Sequence, residues 1–270
     1  MFKHLLTYAI SLLLILFFSA YLISDEIKDE NTKEAIEEQT KEEEEKEEYI
    51  EDKVKDFDSF TGFIQAYQDP ETSSLYFSLD ENQLNKEFIY FAHVKDGVVT
   101  ARRNRGSYLD NGVFKFEKHF DTIRLIRVNT AFSLDETSAL SKSSGANISN
   151  SVIQVFPINS MNKEENKFLI NVSSFFISEA LTPIKPIPNP DYPPPDFMWG
   201  QLSVEKSRIK STHNYPKNTD VEVEYVFENP PSTEYEEEDA ADPRNISIFL
   251  RYSFIEMPEN DFEPRQADMR

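Results

Sequence analysis

The chain is 270 residues long, carries a formal net charge of −21 and contains no cysteine. Disulfides and thiolate metal sites are thereby excluded, and the charge argues against a nucleic-acid surface, which needs a basic patch to displace counterions from phosphate. The first fifth cannot contribute to a globular core, so the composition fits one folded domain of about 200 residues.

Residues 1–24 read as a membrane-targeting segment: Lys3 and His4 form a short positive region, and Leu5 to Ile23 are almost wholly apolar. As a helix this run is long enough to span a hydrocarbon core of about 30 Å. Cleavage positions are poor, with Phe18 three residues before a cut after Ala20 and Leu22-Ile23-Ser24 doing little better, so a cleaved signal peptide and an uncleaved anchor both stay open. Either reading exports the protein to the periplasm, the outer surface or the medium, with the membrane touched only through residues 5–23.

Residues 25–56 hold 16 acidic and 6 basic side chains, a net −10 of the −21. Isolated apolar residues such as Ile27, Ile36, Ile50 and Val54 never form a seam, so this stretch is expected to be a solvated linker, disordered or helical through Glu/Lys pairs. Contiguous Glu lacks the glycine turn and oxygen cage of a calcium loop.

From Phe57 onward, residues 57–270 are predicted to form a mainly β domain: antiparallel sheets in a sandwich or partly open barrel, with a few short helices. Candidate strands are Thr61 to Gln68, Ser74 to Leu79, Glu87 to Lys95, Gly112 to His119, Thr122 to Val128, Ser151 to Pro157, Lys167 to Val172, Leu202 to Ser211, Val221 to Phe227 and Asn245 to Glu256. Strict alternation, as in Val221-Glu222-Val223-Glu224-Tyr225, implies one wet and one buried face. Asp69 to Ser73 reads as a hairpin turn and Asp110-Asn111-Gly112 as a second. Short helices are expected at Asp80 to Asn85 and Ser173 to Ala180, the first with an Asp80–Gln83 cap. Pro183 to Pro195 carries seven prolines and is expected to run as a surface spacer, and Glu228 to Asp242 is a second, acidic loop.

No local catalytic signature is present. His4, His93, His119 and His213 lie far apart, no His-Glu-x-x-His or Gly-x-Ser-x-Gly occurs, and six glycines form no phosphate loop. His93 reads as a strand residue rather than a ligand, and no catalytic or metal-binding residue is assigned. The basic cluster Arg102, Arg103 and Arg105, together with Trp199, is the one candidate binding group, suited to a carboxylate or phosphate; its plainer reading is a turn with solvated arginines beside Asp96 and Asp110. Three sequons begin at Asn147, Asn171 and Asn245, a pattern frequent by chance.

Six segments carry a family resemblance: Glu87-Phe88-Ile89-Tyr90, Arg105 to Asp110, Val128 to Phe132, Asn214 to Val221, Ser253 to Pro258 and Phe262-Glu263-Pro264-Arg265. In that order and spacing, residues 57–270 resemble the N-terminal domain of exported bacterial zinc-dependent metalloproteases, where such a domain precedes a metzincin-like catalytic domain. The resemblance implies a non-catalytic, accessory or prodomain-like role. Zinc is then expected only in the catalytic domain, with no cofactor in this chain, and the expected partner is that catalytic domain, in cis or in trans. The chain reads as a truncated or split member, or as a stand-alone copy. The alternative is an independent extracytoplasmic binding module for a peptide, glycan or protein. The last strand, Asn245 to Glu256, and the tail after it are expected to expose apolar surface or an unpaired strand edge where the catalytic domain docks.

Overall fold

A computed structural model describes residues 49–132, 148–162, 166–186, 191, 197–228, 230–231 and 239–259. The apolar segment, the acidic stretch up to Glu48, Asn147, the central parts of the proline-rich and acidic loops, and residues 260–270 lie outside the described residues. Tyr49 begins a compact unit that runs through the β domain.

Eleven strands form it: β1 (Asp58–Phe60), β2 (Gln65–Gln68), β3 (Leu75–Asp80), β4 (Glu87–Asp96), β5 (Tyr108–His119), β6 (Thr122–Val128), β7 (Ser151–Asn162), β8 (Lys167–Asn171), β9 (Gln201–Tyr215), β10 (Asn218–Glu228) and β11 (Asn245–Glu256). All neighbours are antiparallel, in the order β1-β2-β3-β8-β7-β6-β5-β4-β11-β10-β9. The sheet curls into a nearly closed barrel, the open-barrel form of the sequence expectation. Side chains seal the seam between its ends: the Asn214 amide donates to the carbonyls of Phe60 (2.7 Å) and Ile64 (2.6 Å), and the Ile64 N–H donates to Thr219 Oγ1 at 3.0 Å.

Alternation along β4, β10 and β11 sends one face into a core dominated by aromatic rings. Phe254 packs against Phe77, Phe88, Tyr90 and Phe176 with ring centroids 5.9–6.1 Å apart. Each such ring removes a large apolar area from water, which a cysteine-free domain needs in place of staples. The segment after β8 closes one barrel end with a short helix, Ser173–Phe176, and the buried Leu181 and Ile184. Polar interior groups tie it in place: the Tyr225 hydroxyl donates to the Phe176 carbonyl, and Tyr90 donates to Thr182 Oγ1 (2.9 Å), which donates to Asp110 (3.1 Å). Burial pushes the Tyr90, Tyr225 and Tyr252 hydroxyls far above the ordinary phenol range, so they stay neutral donors.

The opposite end is crossed by the link from β3 to β4, strands that are not neighbours in the sheet. It begins with a one-turn 3-10 helix, Glu81–Gln83, with the expected cap: Asp80 accepts from the Asn82 N–H at 2.8 Å while Gln83 Oε1 accepts from the Asp80 N–H at 3.0 Å. Asp80→Ala is therefore expected to cost about 1 kcal/mol in urea unfolding; an unchanged midpoint would show that the cap contributes nothing.

Four sequence expectations are corrected. Asp110-Asn111-Gly112 is no turn but part of β5, because Arg127 clamps Asp110 with two hydrogen bonds (2.9 and 3.0 Å) across the β5–β6 ladder. The turn lies earlier, where Arg102 and Gly106 take φ of 56° and 80°. Thr61 to Gln68 is not one strand: the chain bends between Thr61 and Ile64 so that Gly62 passes under Asn214. Ile50 and Val54, assigned to the solvated linker, are buried against Leu169 by a four-residue helix, Ile50–Lys53, a partner that local sequence does not reveal. Ile184, expected on a surface spacer, is fully buried. The hairpin turn at Asp69 to Ser73 stands as expected, with Asp69 accepting from the Glu71 N–H (2.8 Å) and the Thr72 hydroxyl (2.6 Å).

Candidate functional site

Among the described residues a cleft of about 950 Å³ opens at the barrel end crossed by the β3–β4 link. Its floor is lined by the half-buried Phe63 and by the edge of the core at Ile64, Leu79, Phe88 and Phe116, which are themselves buried. One wall is the link itself, held by the Gln83 side-chain amide donating to the Phe63 carbonyl at 2.6 Å and the Asn85 N–H donating to the Phe116 carbonyl at 2.7 Å. The other wall is the chain leaving β11, Met257 to Glu259, beside Pro216 and Lys217 of the β9–β10 turn. Lys86, Glu87 and Glu256 complete a rim of mixed charge around an apolar floor, the general make-up of a binding concavity.

The arginine turn is placed differently from its group reading. Arg102 and Arg105 are exposed, and Arg105 Nε donates to the Lys95 carbonyl at 3.2 Å. Arg103 turns inward: its Nε donates to the Ile184 carbonyl at 2.6 Å and its guanidinium lies 5.9 Å from the Trp199 ring centroid. Burial pulls the Arg103 pKa down, opposed by the Glu179 carboxylate. Trp199 in turn packs edge-on against Phe227 with centroids 5.0 Å apart. The structure thus brings Arg103 and Trp199 together as packing over the barrel end, and leaves Arg102 and Arg105 outside that contact.

A second polar group was not singled out from sequence. Strand registers align Tyr108, His93, Arg251, Glu222 and Ser211 in one row across β5, β4, β11, β10 and β9, on the face turned away from the core. Glu222 lies at its centre with its side chain only 2% exposed. One of its oxygens accepts from Arg251 (Nε at 3.0 Å), the other from Lys95 and from the Ser211 hydroxyl at 3.1 Å. Burial raises the Glu222 pKa, but these hydrogen bonds outweigh it and hold the carboxyl down at about 2. His213 stands beside the row, its Nε2 3.2 Å from Ser211 Oγ and 4.0 Å from Glu222. Because the Ser211 proton goes to Glu222, this Ser/His/carboxylate set is not arranged as a nucleophile with its base. Burial, followed by the Arg251 charge, lowers the His93 pKa, and its Nδ1 is buried with no hydrogen-bond partner among the described residues.

His119 does not converge with these, since it packs against Phe120 at the β5–β6 turn with centroids 4.6 Å apart, and His4 lies outside the described residues. Among the described residues no group of three or more His, Cys, Asp or Glu is placed to hold a metal ion. The alternation Val221-Glu222-Val223-Glu224 did reveal an outward face in the sequence. It could not reveal that Arg251 and Lys95 close on Glu222, since that depends on register between distant strands.

No curated protein and no solved structure matches the chain. A family model described as a domain of unknown function, DUF5117, matches residues 106–270. That match begins at the arginine turn and takes in β5 to β11, while β4, lying between β5 and β11 in the same sheet, shows that the folded unit extends further toward the N-terminus. Since the match covers more than half of its length, the chain belongs to the DUF5117 family of domains of unknown function.

Proposed function

We propose that this domain is a non-catalytic accessory module of an exported zinc-dependent metalloprotease, and that it docks the catalytic domain, in cis or in trans, at the cleft beside the end of β11. The cleft carries this reading: an apolar floor and a charged rim lie directly against the chain that leaves the last strand, Met257 to Glu259. Zinc belongs to the catalytic domain in this reading, and this chain supplies a surface. The expected free strand edge at β11 is not the means, because β11 is hydrogen-bonded to β4 on one side and β10 on the other. Docking therefore uses side chains around the cleft.

The test is co-purification of the full chain with a metalloprotease catalytic domain of the class it resembles, scored by light scattering and affinity measurement. Met257→Asp places a charge in the apolar wall and is expected to weaken the complex about tenfold or more, with the melting temperature little changed. A complex that ignores this substitution, or no complex at high concentration, would leave the second reading, an independent extracytoplasmic binding module. That reading draws on the polar outer face rather than on the cleft.

A further inference from the structure

Three bulges converge on the outer face of β5-β4-β11-β10-β9. Register shifts leave Leu109 unpaired beside Tyr108 in β5, Lys95 unpaired in β4 and Lys210 unpaired beside Ser211 in β9. Bulges re-aim side chains, and these three set the composition of a single row. At the β5 end, Tyr108 is 56% exposed, its ring centroid is 5.7 Å from that of Phe91, and Phe91 lies 5.7 Å from the His93 ring. Next come the guanidinium of Arg251 and the buried Glu222, then Ser211 and the exposed His213. With strands about 4.8 Å apart, the row spans roughly 19 Å.

An ordinary solvated face does not account for this arrangement. Withdrawing charges such as Glu222 from water contributes little to stability even when they are paired, so the network acts chiefly to hold its partners in fixed orientation. Among the described residues Arg251 Nη1 makes no hydrogen bond, its ion-pair partner Asp220 lying 3.9 Å away, and Lys95 keeps donors beyond the one it gives Glu222. Lys95 and Arg251 cancel Asp220 and Glu222, so the patch selects neither an anion nor a cation, and the chain's charge of −21 further disfavours polyanions. A ligand suited to it is neutral, has an apolar ring face to lie on Tyr108 and Phe91, and has hydroxyls that both donate and accept beside Arg251, Ser211 and His213. We infer that this sheet face is a binding platform for a neutral oligosaccharide. The platform shares no residue with the cleft and is independent of the docking reading.

The experiment titrates the full chain, in a detergent without a sugar headgroup, with cellohexaose, xylohexaose and mannohexaose by calorimetry, and with hexagalacturonate and hexaglutamate as charged comparators. At least one neutral oligosaccharide is expected to bind with a Kd of roughly 10 µM to 1 mM, tighter than either charged oligomer. Tyr108→Ala, at an exposed ring, is expected to weaken that binding about tenfold without lowering the melting temperature, and His213→Ala to weaken it by a smaller factor. Absence of binding by all three neutral hexasaccharides at millimolar concentration overturns the proposal. So does tighter binding of a charged oligomer, or binding that survives both substitutions unchanged.

Discussion

Glu222→Gln is expected to lower the melting temperature of the β domain by roughly 10 °C, the largest effect of any conservative change on its outer face. The substitution preserves shape but removes the charge that Lys95, Arg251 and the Ser211 hydroxyl all address. Two cations are left partly buried around a neutral amide, and breaking such a site costs about 3 to 5 kcal/mol, in contrast to an exposed pair worth under about 1 kcal/mol. The same group dictates a pH signature. Its folded pKa of about 2 lies below the ordinary 4.5, so as pH falls the unfolded chain takes up the proton first. The stabilisation is complete above pH 4.5 and is lost as pH drops from 4.5 toward 2. The His93 pKa is also lowered, which adds acid sensitivity beginning nearer pH 6.5, so the difference between wild-type and variant profiles isolates Glu222. Parallel profiles with equal melting temperatures would mean that the carboxylate is not held as described.

Gly62→Ala is expected to loosen the barrel seam at a cost of about 3 kcal/mol. A Cβ at this position would lie 2.1 Å from Asn214 Oδ1 and 2.7 Å from the Tyr215 backbone nitrogen, closer than atoms can approach. Asn214 is not free to swing aside, since its amide donates to Phe60 and Ile64 and its oxygen accepts from Thr219 Oγ1 at 2.6 Å. The bend at Thr61 to Ile64 must therefore peel away from β9. Hydrogen exchange reports this locally: the Phe63 amide, which donates to the Tyr215 carbonyl at 2.8 Å, and the Ile64 amide, which donates to Thr219, should lose protection before the central strands do. Unchanged protection at both amides would sink the seam model. The segment Asn214 to Val221, one of those on which the family resemblance rested, thereby has a structural role at the barrel closure.

Local pattern was enough to place nine strands, β3 to β11, because a period of two and turn residues such as Asp69 to Ser73 act within a few residues of chain, while Thr61 to Gln68 caught only β2 and left β1 unread. Both short helices and the Asp80–Gln83 cap were legible for the same reason. Failures occurred where a distant partner overrides local preference. Asp110-Asn111-Gly112 has turn composition, yet Arg127, 17 residues away, holds it in a strand. Ile50 looked isolated in an acidic stretch until Leu169 provided its burial partner.

By itself, the sequence determined that the domain is antiparallel and β-rich, that no disulfide staples its core, and that no local catalytic motif is encoded between Phe57 and Arg270. These follow from residue type and short-range periodicity. Only the tertiary structure decided that the sheet closes nearly into a barrel, that Arg103 rather than its neighbours meets Trp199, and that Glu222 gathers Lys95, Arg251 and Ser211. Each of these depends on register and curvature, which bring together residues up to 150 or so positions apart, as Asn214 meets Ile64 at the seam. Spacing along the chain carries no record of such meetings, because strand pairing is set by how the whole set of apolar faces is buried at once.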